Sequence, residues 1–243
     1  MDYKRFSKKE LMDILDVIQA SLSCKTEMDF KLLLEKAKGI VGGEHAICGL
    51  GIYDNKGLVD AKTIINSSYP KEWLSIYQKK QLYFIDPIVI QQYKSSGTQF
   101  WTDTYKKYRG KAVSKFIYNA SGFGLKYGIC SGIKSMCNKM GSVVAFSNSK
   151  DYFKEHQKEI MNALIPHLHQ ALVRIYRALK TDIPSYLTER EMDIVHWIKE
   201  GKTNWEISMI LNISERTVKF HLDNIKEKLG AVSKTHAVAI LME

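Results

Sequence analysis

Apolar residues recur along most of this chain at three- and four-residue steps, and in a few stretches they alternate or run together. The first pattern predicts helices over 7–22, 28–40, 70–80 and 113–121, with a further helix from Pro87 onward. The second predicts strands over 46–53, 125–133 and 142–146. From 153 to 179 a long helical stripe carries Ile160, Leu164, Leu168, Leu172, Ile175 and Leu179, interrupted by Pro166, which is expected to kink it. Such a stripe packs either on its own sheet or on a twofold mate. The polar run 180–186 contains Pro184, which cannot continue a helix. The expected fold is therefore α+β. An N-terminal α/β/α sandwich with a mainly antiparallel sheet spans 1–179, a linker spans 180–186, and an all-α domain of four helices spans 187–243.

The last segment is the most explicit. Thr188 and Glu191 form a capping box that starts one helix, with Leu187, Ile194, Val195 and Ile198 on one face and Gly201 where a left-handed cap ends it. Thr203 and Glu206 start a second, short helix with Ile207, Ile210 and Leu211 expected inward. After the turn at Asn212-Ile213, Ser214 caps a third helix whose Val218, Leu222, Ile225 and Leu229 point in, ending at Gly230. A fourth runs from Ser233 to Leu241. The other face of the third helix carries Thr217, His221 and Asn224, flanked by Arg216, Lys219, Asp223 and Lys226. Helix, tight turn and helix with a polar outward face is the geometry that enters a DNA major groove. It is equally the pattern of a small bundle whose exposed side is charged.

Composition narrows the classes. With 45% apolar and 26% charged residues the chain builds an ordinary core. It has no run of about 18 apolar residues and no apolar leader, so no membrane partner is expected and the cytoplasm is the expected compartment. Cys24, Cys48, Cys130 and Cys137 form no C-x-x-C pair, and no Cys/His cluster has metal-site spacing; buried reduced thiols and no cofactor are expected. His167 and His169, two apart, face different sides of a helix. The net charge of +10 suggests attraction to a polyanion. However, residues 186–243 carry only 8 Lys and Arg against 9 Asp and Glu, leaving 28 cations and 17 acids in the first 185 residues.

The N-terminal half holds one informative constellation: Tyr69, Trp73, Tyr77, Asp86-Pro87 and Trp101. Trp73 and Tyr77 share a helix face, with Pro70 at the helix start and Tyr69 just before it. If Asp86 points into the same apolar space, its charge needs a donor or its pKa rises. A ligand N–H is one such donor. The alternative is an aromatic core with Asp86 as an exposed helix cap.

Both halves resemble one family. Leu187-Thr188-Glu189-Arg190-Glu191, Gly201-Lys202-Thr203, Glu206-Ile207 and the run from Ile213 to His221 look like the LuxR-type helix-turn-helix signature almost position for position. The pattern Y-P-x-x-W-x-x-x-Y, then D-P, Trp101 and Gly128, is similar to the autoinducer-binding domain of LuxR-type quorum-sensing receptors. The resemblance implies a homodimeric transcription regulator that binds double-stranded DNA at an inverted repeat, and a small-molecule autoinducer, an N-acyl homoserine lactone. RNA polymerase would be a further partner.

By the resemblance Lys202, Thr203, Trp205, Ser214 and Thr217 would lie against phosphates. Lys219, His221, Asp223 and Asn224 would face base edges, with Arg216 and Lys226 beside them. Trp73 would donate to the lactone carbonyl, Asp86 would accept from the ligand amide, and Tyr69 would bond the acyl carbonyl. Tyr77 and Trp101 would wall the pocket, and Ile88 joins them at a position that is sometimes polar in the family. There are departures: Ala145 stands where the family often has Ser or Thr, with Ser147 one pleat further, and Gly132 replaces a frequent proline. Two other readings are a regulator that is ligand-independent or senses a non-lactone metabolite, and a lactone hydrolase using Asp86 and a histidine. The latter lacks a nucleophile-base motif.

Overall fold

The computed structural model describes residues 5–54, 57–134, 140–180 and 187–242, the side chains of 179, 180 and 242 excepted. They fall into two compact units, Met1–Arg177 and Ala178–Glu243. Lys180 closes a helix; the remainder of the expected linker, and Cys137, lie outside the described residues.

In chain order the first unit contains α1 (Lys8–Ser23), α2 (Glu27–Val41), β1 (His45–Asp54), β2 (Gly57–Asn66), α3 (Lys71–Lys79), α4 (Pro87–Lys94), β3 (Gln99–Phe100), α5 (Trp101–Lys107), α6 (Lys111–Gly122), β4 (Tyr127–Ser131), β5 (Met140–Asn148) and most of α7 (Glu155–Lys180). Ser7 with Glu10, and Thr26 with Asp29, form capping boxes that start α1 and α2. The five strands form one antiparallel sheet in the order β2-β1-β5-β4-β3. One face packs on α1, α2 and α7 through Phe30, Leu34, Phe146, Leu164 and Leu168. The other packs on α3 to α6 through Trp73, Ile88, Trp101, Phe116 and Ala145. The sandwich expected from the sequence is the one observed.

Several expectations change. β2 was not anticipated: it is an edge strand of mixed polarity, and its register against β1 slips twice, which breaks the alternation a sequence reading depends on. The seven-residue α5 is too short for a helical period to show. The α7 stripe, open to either a sheet or a mate, is used internally: Ile160, Leu164, Leu168, Leu172 and Ile175 are all fully buried against their own sheet. Self-association therefore requires another surface. The helix runs through Pro166 without interruption. His169 is buried with its Nδ1 2.8 Å from Ser142 Oγ, a structural pairing between α7 and β5. Cys24, Cys48 and Cys130 are buried free thiols.

The second unit has the four helices expected: α8 (Glu189–Lys199), α9 (Asn204–Leu211), α10 (Glu215–Leu229) and α11 (Lys234–Met242). Asn212, at φ 51°, makes the left-handed turn between α9 and α10, a conformation asparagine tolerates better than most residues. Ile207, Val218, Leu222 and Ile225 are buried together. Ile210 is not inward as expected but 43% exposed: on an eight-residue helix the single face towards α10 is filled by Ile207 and Ser208. Glu191 serves twice. It caps α8 and, almost fully buried, accepts from Lys228 Nζ at 2.7 Å, tying α8 to α10.

Gly132 has a clear reason. A Cβ there would lie 1.8 Å from the Ser142 carbonyl oxygen, while the Gly132 carbonyl accepts from Gln92 Nε2 at 3.1 Å. No side chain fits without separating the backbones that join β4 to β5. Gly132→Ala is expected to destabilise the first unit by about 2 kcal/mol or more, as overpacking against backbone does. A fall in urea midpoint with the denaturant slope unchanged checks it.

Candidate functional site

The sequence constellation converges on a cavity between the sheet and the α3–α6 layer. Tyr69, Trp73, Tyr77, Asp86, Ile88, Trp101 and Ala145 all line it. Ser147 shares the sheet face of Ala145 but does not reach the lining. The space open to the centres of water molecules is about 90 Å³. Sequence reasoning missed the contribution of β2, whose Leu58, Ala61, Thr63 and Ile64 form the far wall, and of Tyr105 and Phe116. The only signal for those two was their apolar spacing.

Each polar group is placed by a local device. Tyr69 is held at the exit of β2 because Asn66 bonds its backbone N–H and carbonyl at 2.8 and 3.0 Å. Trp73, on α3, packs against Phe116 and Phe123 at ring separations of 5.7 and 5.5 Å. Trp101 lies flat on β4, where a Cβ on Gly128 would come within 2.3 Å of its ring. The glycine is what admits the indole. A chain of hydrogen bonds through side-chain amides then fixes α4: Gln99 Nε2 donates to the Ile88 carbonyl and to Gln92 Oε1, while the Thr104 hydroxyl donates to Gln99 Oε1.

Asp86 combines both sequence readings, being a helix cap that is also buried. Its Oδ1 accepts from the Ile88 N–H at 2.8 Å and caps α4, while its Oδ2 accepts from the Tyr77 hydroxyl at 2.9 Å. Tyr77, expected only as wall, is thus the carboxylate's side-chain donor. Burial raises the Asp86 pKa to about 6, against the pull of those hydrogen bonds. The neighbouring Tyr69, Tyr77, Tyr105 and Cys130 are pushed upward by burial and remain neutral. Among the described residues, three buried polar atoms at or beside the cavity lack a hydrogen-bond partner: the Tyr69 hydroxyl, Trp101 Nε1 and Ser147 Oγ. The nearby Ser147 hydroxyl opposes the rise at Tyr69, yet neither oxygen has a well-formed hydrogen bond. Two of the three orphans belong to residues lining the cavity, and unsatisfied groups of this kind ask for a ligand.

On the second unit, Arg216, Lys219, Phe220 and Asp223 form the most exposed stripe of α10, with Thr217, His221, Asn224 and Lys226 half-buried beside it. Ser214 caps α10 and its Oγ lies 2.8 Å from Thr217 Oγ1. Asp223, the one acid expected at the base-reading face, pairs with Lys226 at 2.6 Å and so orients a cation. Lys202 pairs with Glu206, Thr203 caps α9, and Trp205 is 61% exposed. Phe220, 61% exposed on the outward stripe, was not anticipated. Among the described residues no group of His, Cys, Asp and Glu is placed to hold a metal, and no helix is long and apolar enough to cross a membrane.

A unit with an apolar, carboxylate-bearing cavity followed by a helix-turn-helix defines a ligand-responsive DNA-binding regulator. Residues 26–172 match the autoinducer binding domain, and residues 185–241 match the bacterial regulatory proteins of the luxR family. The transcriptional activator VanR of Vibrio anguillarum is 32% identical over 232 residues, 93% of either chain. The quorum-sensing regulator RhlR of Pseudomonas aeruginosa is 31% identical over 182 residues, 73% of each. In fold, the chain is similar to Escherichia coli SdiA, with a TM-score of 0.60 at 23% identity over 94% of this chain and 95% of that one. The chain belongs to the LuxR family of transcription regulators.

The raised Asp86 carboxyl has a consequence for stability. Its folded pKa, about 6, stands above the ordinary 3.8, so the folded state holds this proton more tightly than the unfolded state does. Its contribution is full below about pH 4 and is lost as pH rises through 6. Relative to Asp86→Asn, the ligand-free protein is expected to lose about 2 kcal/mol between pH 4 and pH 7. Paired urea unfolding curves across that range check it; parallel curves would contradict it.

Proposed function

We propose that this regulator senses an N-acyl homoserine lactone through residues 1–179, passes through a linker at 180–186, and binds an inverted-repeat operator as a homodimer through residues 187–243. It would act in the cytoplasm, with RNA polymerase as the partner met at a promoter. The observation that carries the ligand assignment is the buried Asp86 carboxyl in an apolar cavity beside the unpartnered Tyr69 hydroxyl. One acceptor and donors in an apolar chamber suit a molecule with an amide, two carbonyls and a hydrocarbon tail. Asp86 would accept from the amide N–H, Tyr69 would donate to the acyl carbonyl and Trp73 to the lactone carbonyl. Tyr77, Ile88, Trp101 and Ala145 would enclose them, and Ser147 would support Tyr69. On α10, Lys219, His221, Asp223 and Asn224 would meet base edges with Arg216 and Lys226 alongside. Lys202, Thr203, Trp205, Ser214 and Thr217 would meet phosphates.

We read the unit as a receptor and not a hydrolase, since the chain belongs to a family of transcription regulators. A second reading, a regulator that works without a lactone or with another metabolite, draws on one observation: both Asp86 carboxylate oxygens accept from donors of the protein itself.

Thermal unfolding with a panel of acyl homoserine lactones separates them. Saturation at 100 to 1,000 times Kd adds about 3 to 4 kcal/mol, a rise on the order of 10 °C for a unit of this size. The rise is expected for the fitting chain length and is lost in Asp86→Asn or Trp73→Phe. No rise with any member, in protein that still binds DNA, would overturn the lactone assignment and leave the second reading.

A further inference from the structure

The positive charge of this protein is sorted by place. Between Lys71 and Lys126, the stretch that forms the α3–α6 layer, there are ten cations and three acids. One of those acids, Asp86, is buried. All ten cations are exposed, and among the described residues only Lys106 has a carboxylate partner, Asp103 at 2.9 Å. The densest part runs from the end of α5 into α6, where Lys106, Lys107, Arg109, Lys111 and Lys115 follow one another with no acid from Lys106 to Lys126. On the opposite side of the sheet, residues 8–41, which form α1 and α2, hold six cations and six acids. The layer over the cavity is a cationic face, whereas the α1–α2 pair on the other side of the sheet is neutral.

The helix-turn-helix unit shows the reverse. From 187 to 243 its acids outnumber its cations, and four of those eight cations are tied to acids of the same unit: Arg190 to Asp193, Lys202 to Glu206, Lys226 to Asp223 and Lys228 to Glu191. Phosphate neutralisation with release of counterions supplies most non-specific DNA affinity, and it scales with the number of cations brought to the backbone. By itself this unit has few free cations to bring.

We infer that the α3–α6 face of the sensor unit is a second DNA-contacting surface, which holds duplex phosphates without reading sequence and supplies the non-specific affinity that the helix-turn-helix unit lacks. The inference rests on the DNA-binding reading of that unit. It commits to duplex DNA and not to an anionic membrane because a polyanion is already the partner of the same chain, and because the exposed cations on this face are not interleaved with exposed large apolar side chains, apart from Tyr118, Phe84 and Ile85. The cavity lies beneath this layer, so the face that would meet DNA is built from the helices that enclose the ligand.

The test uses the full-length chain and a random-sequence 60-base-pair duplex, with affinity measured from low to high sodium chloride. One variant neutralises the patch: Lys106→Gln, Lys107→Gln, Arg109→Gln, Lys111→Gln and Lys115→Gln. A control removes five cations from the neutral side: Lys8→Gln, Lys9→Gln, Lys25→Gln, Lys31→Gln and Lys36→Gln. Unchanged thermal unfolding establishes that both variants fold. The patch variant is expected to lose at least about 2 from the slope of log K against log salt and about tenfold in affinity near 100 mM salt, with the control close to wild type. An unchanged slope in the patch variant, or equal losses in both variants, would overturn the inference. Absence of duplex binding by the wild type would overturn the DNA-binding reading with it. Sedimentation with phosphatidylserine vesicles gives the remaining outcome: patch-dependent capture by vesicles, with the DNA slope unchanged, would assign the face to a membrane.

Discussion

A carboxyl group buried among aromatic rings is costly, and the architecture around Asp86 is organised by that cost. Pro87 forces the chain into an extended conformation at Asp86 and starts α4 immediately after it, so that one oxygen caps the helix while the other turns to Tyr77. Those two bonds do not restore what water would provide, and the pKa stays raised. The amides of Gln92 and Gln99 then fix α4 against β3, β4 and α5, and Gly128 and Gly132 let the indole and the backbone close in. The cavity exists because these constraints hold polar groups at its wall while the rest of the lining is apolar.

How much of this was legible depended on whether the signal was local. The helix-turn-helix unit was readable almost residue by residue, because capping boxes at Thr188 and Thr203, the serine cap at Ser214 and the stops at Gly201 and Gly230 are written within a few positions of each other. Ile210 was misplaced because amphipathic spacing on eight residues does not say which of two adjacent apolar side chains faces the neighbour. In the first unit, the site residues from Tyr69 to Trp101 were found by spacing, yet their partners were not. That Tyr77 donates to Asp86 follows from how the turn between α3 and α4 brings them together. β2 stayed hidden because its bulges and edge position remove the period-two pattern, and with it went the far wall of the cavity.

The α7 stripe teaches a related lesson. A run of leucines and isoleucines ahead of a DNA-binding unit invites an intermolecular reading, but here the sheet face opposite the cavity is long and apolar and consumes it. Charge follows a similar logic of place: the net +10 says little until it is seen that one helical layer carries most of it and the DNA-reading unit none. Composition describes a chain, whereas function depends on which face a residue reaches.

The central claim is that Asp86 receives the ligand's amide N–H, and proton release on binding tests it most directly. Calorimetric titration with the stabilising lactone near pH 5.5, in buffers of different ionisation enthalpy, reports how many protons leave. Because a hydrogen bond to the ionised carboxylate favours that form, binding is predicted to release a substantial fraction of a proton at pH 5.5 and almost none near pH 7.5, where Asp86 is already ionised. Binding with no proton release at pH 5.5, or with the same release at both pH values, would contradict the account.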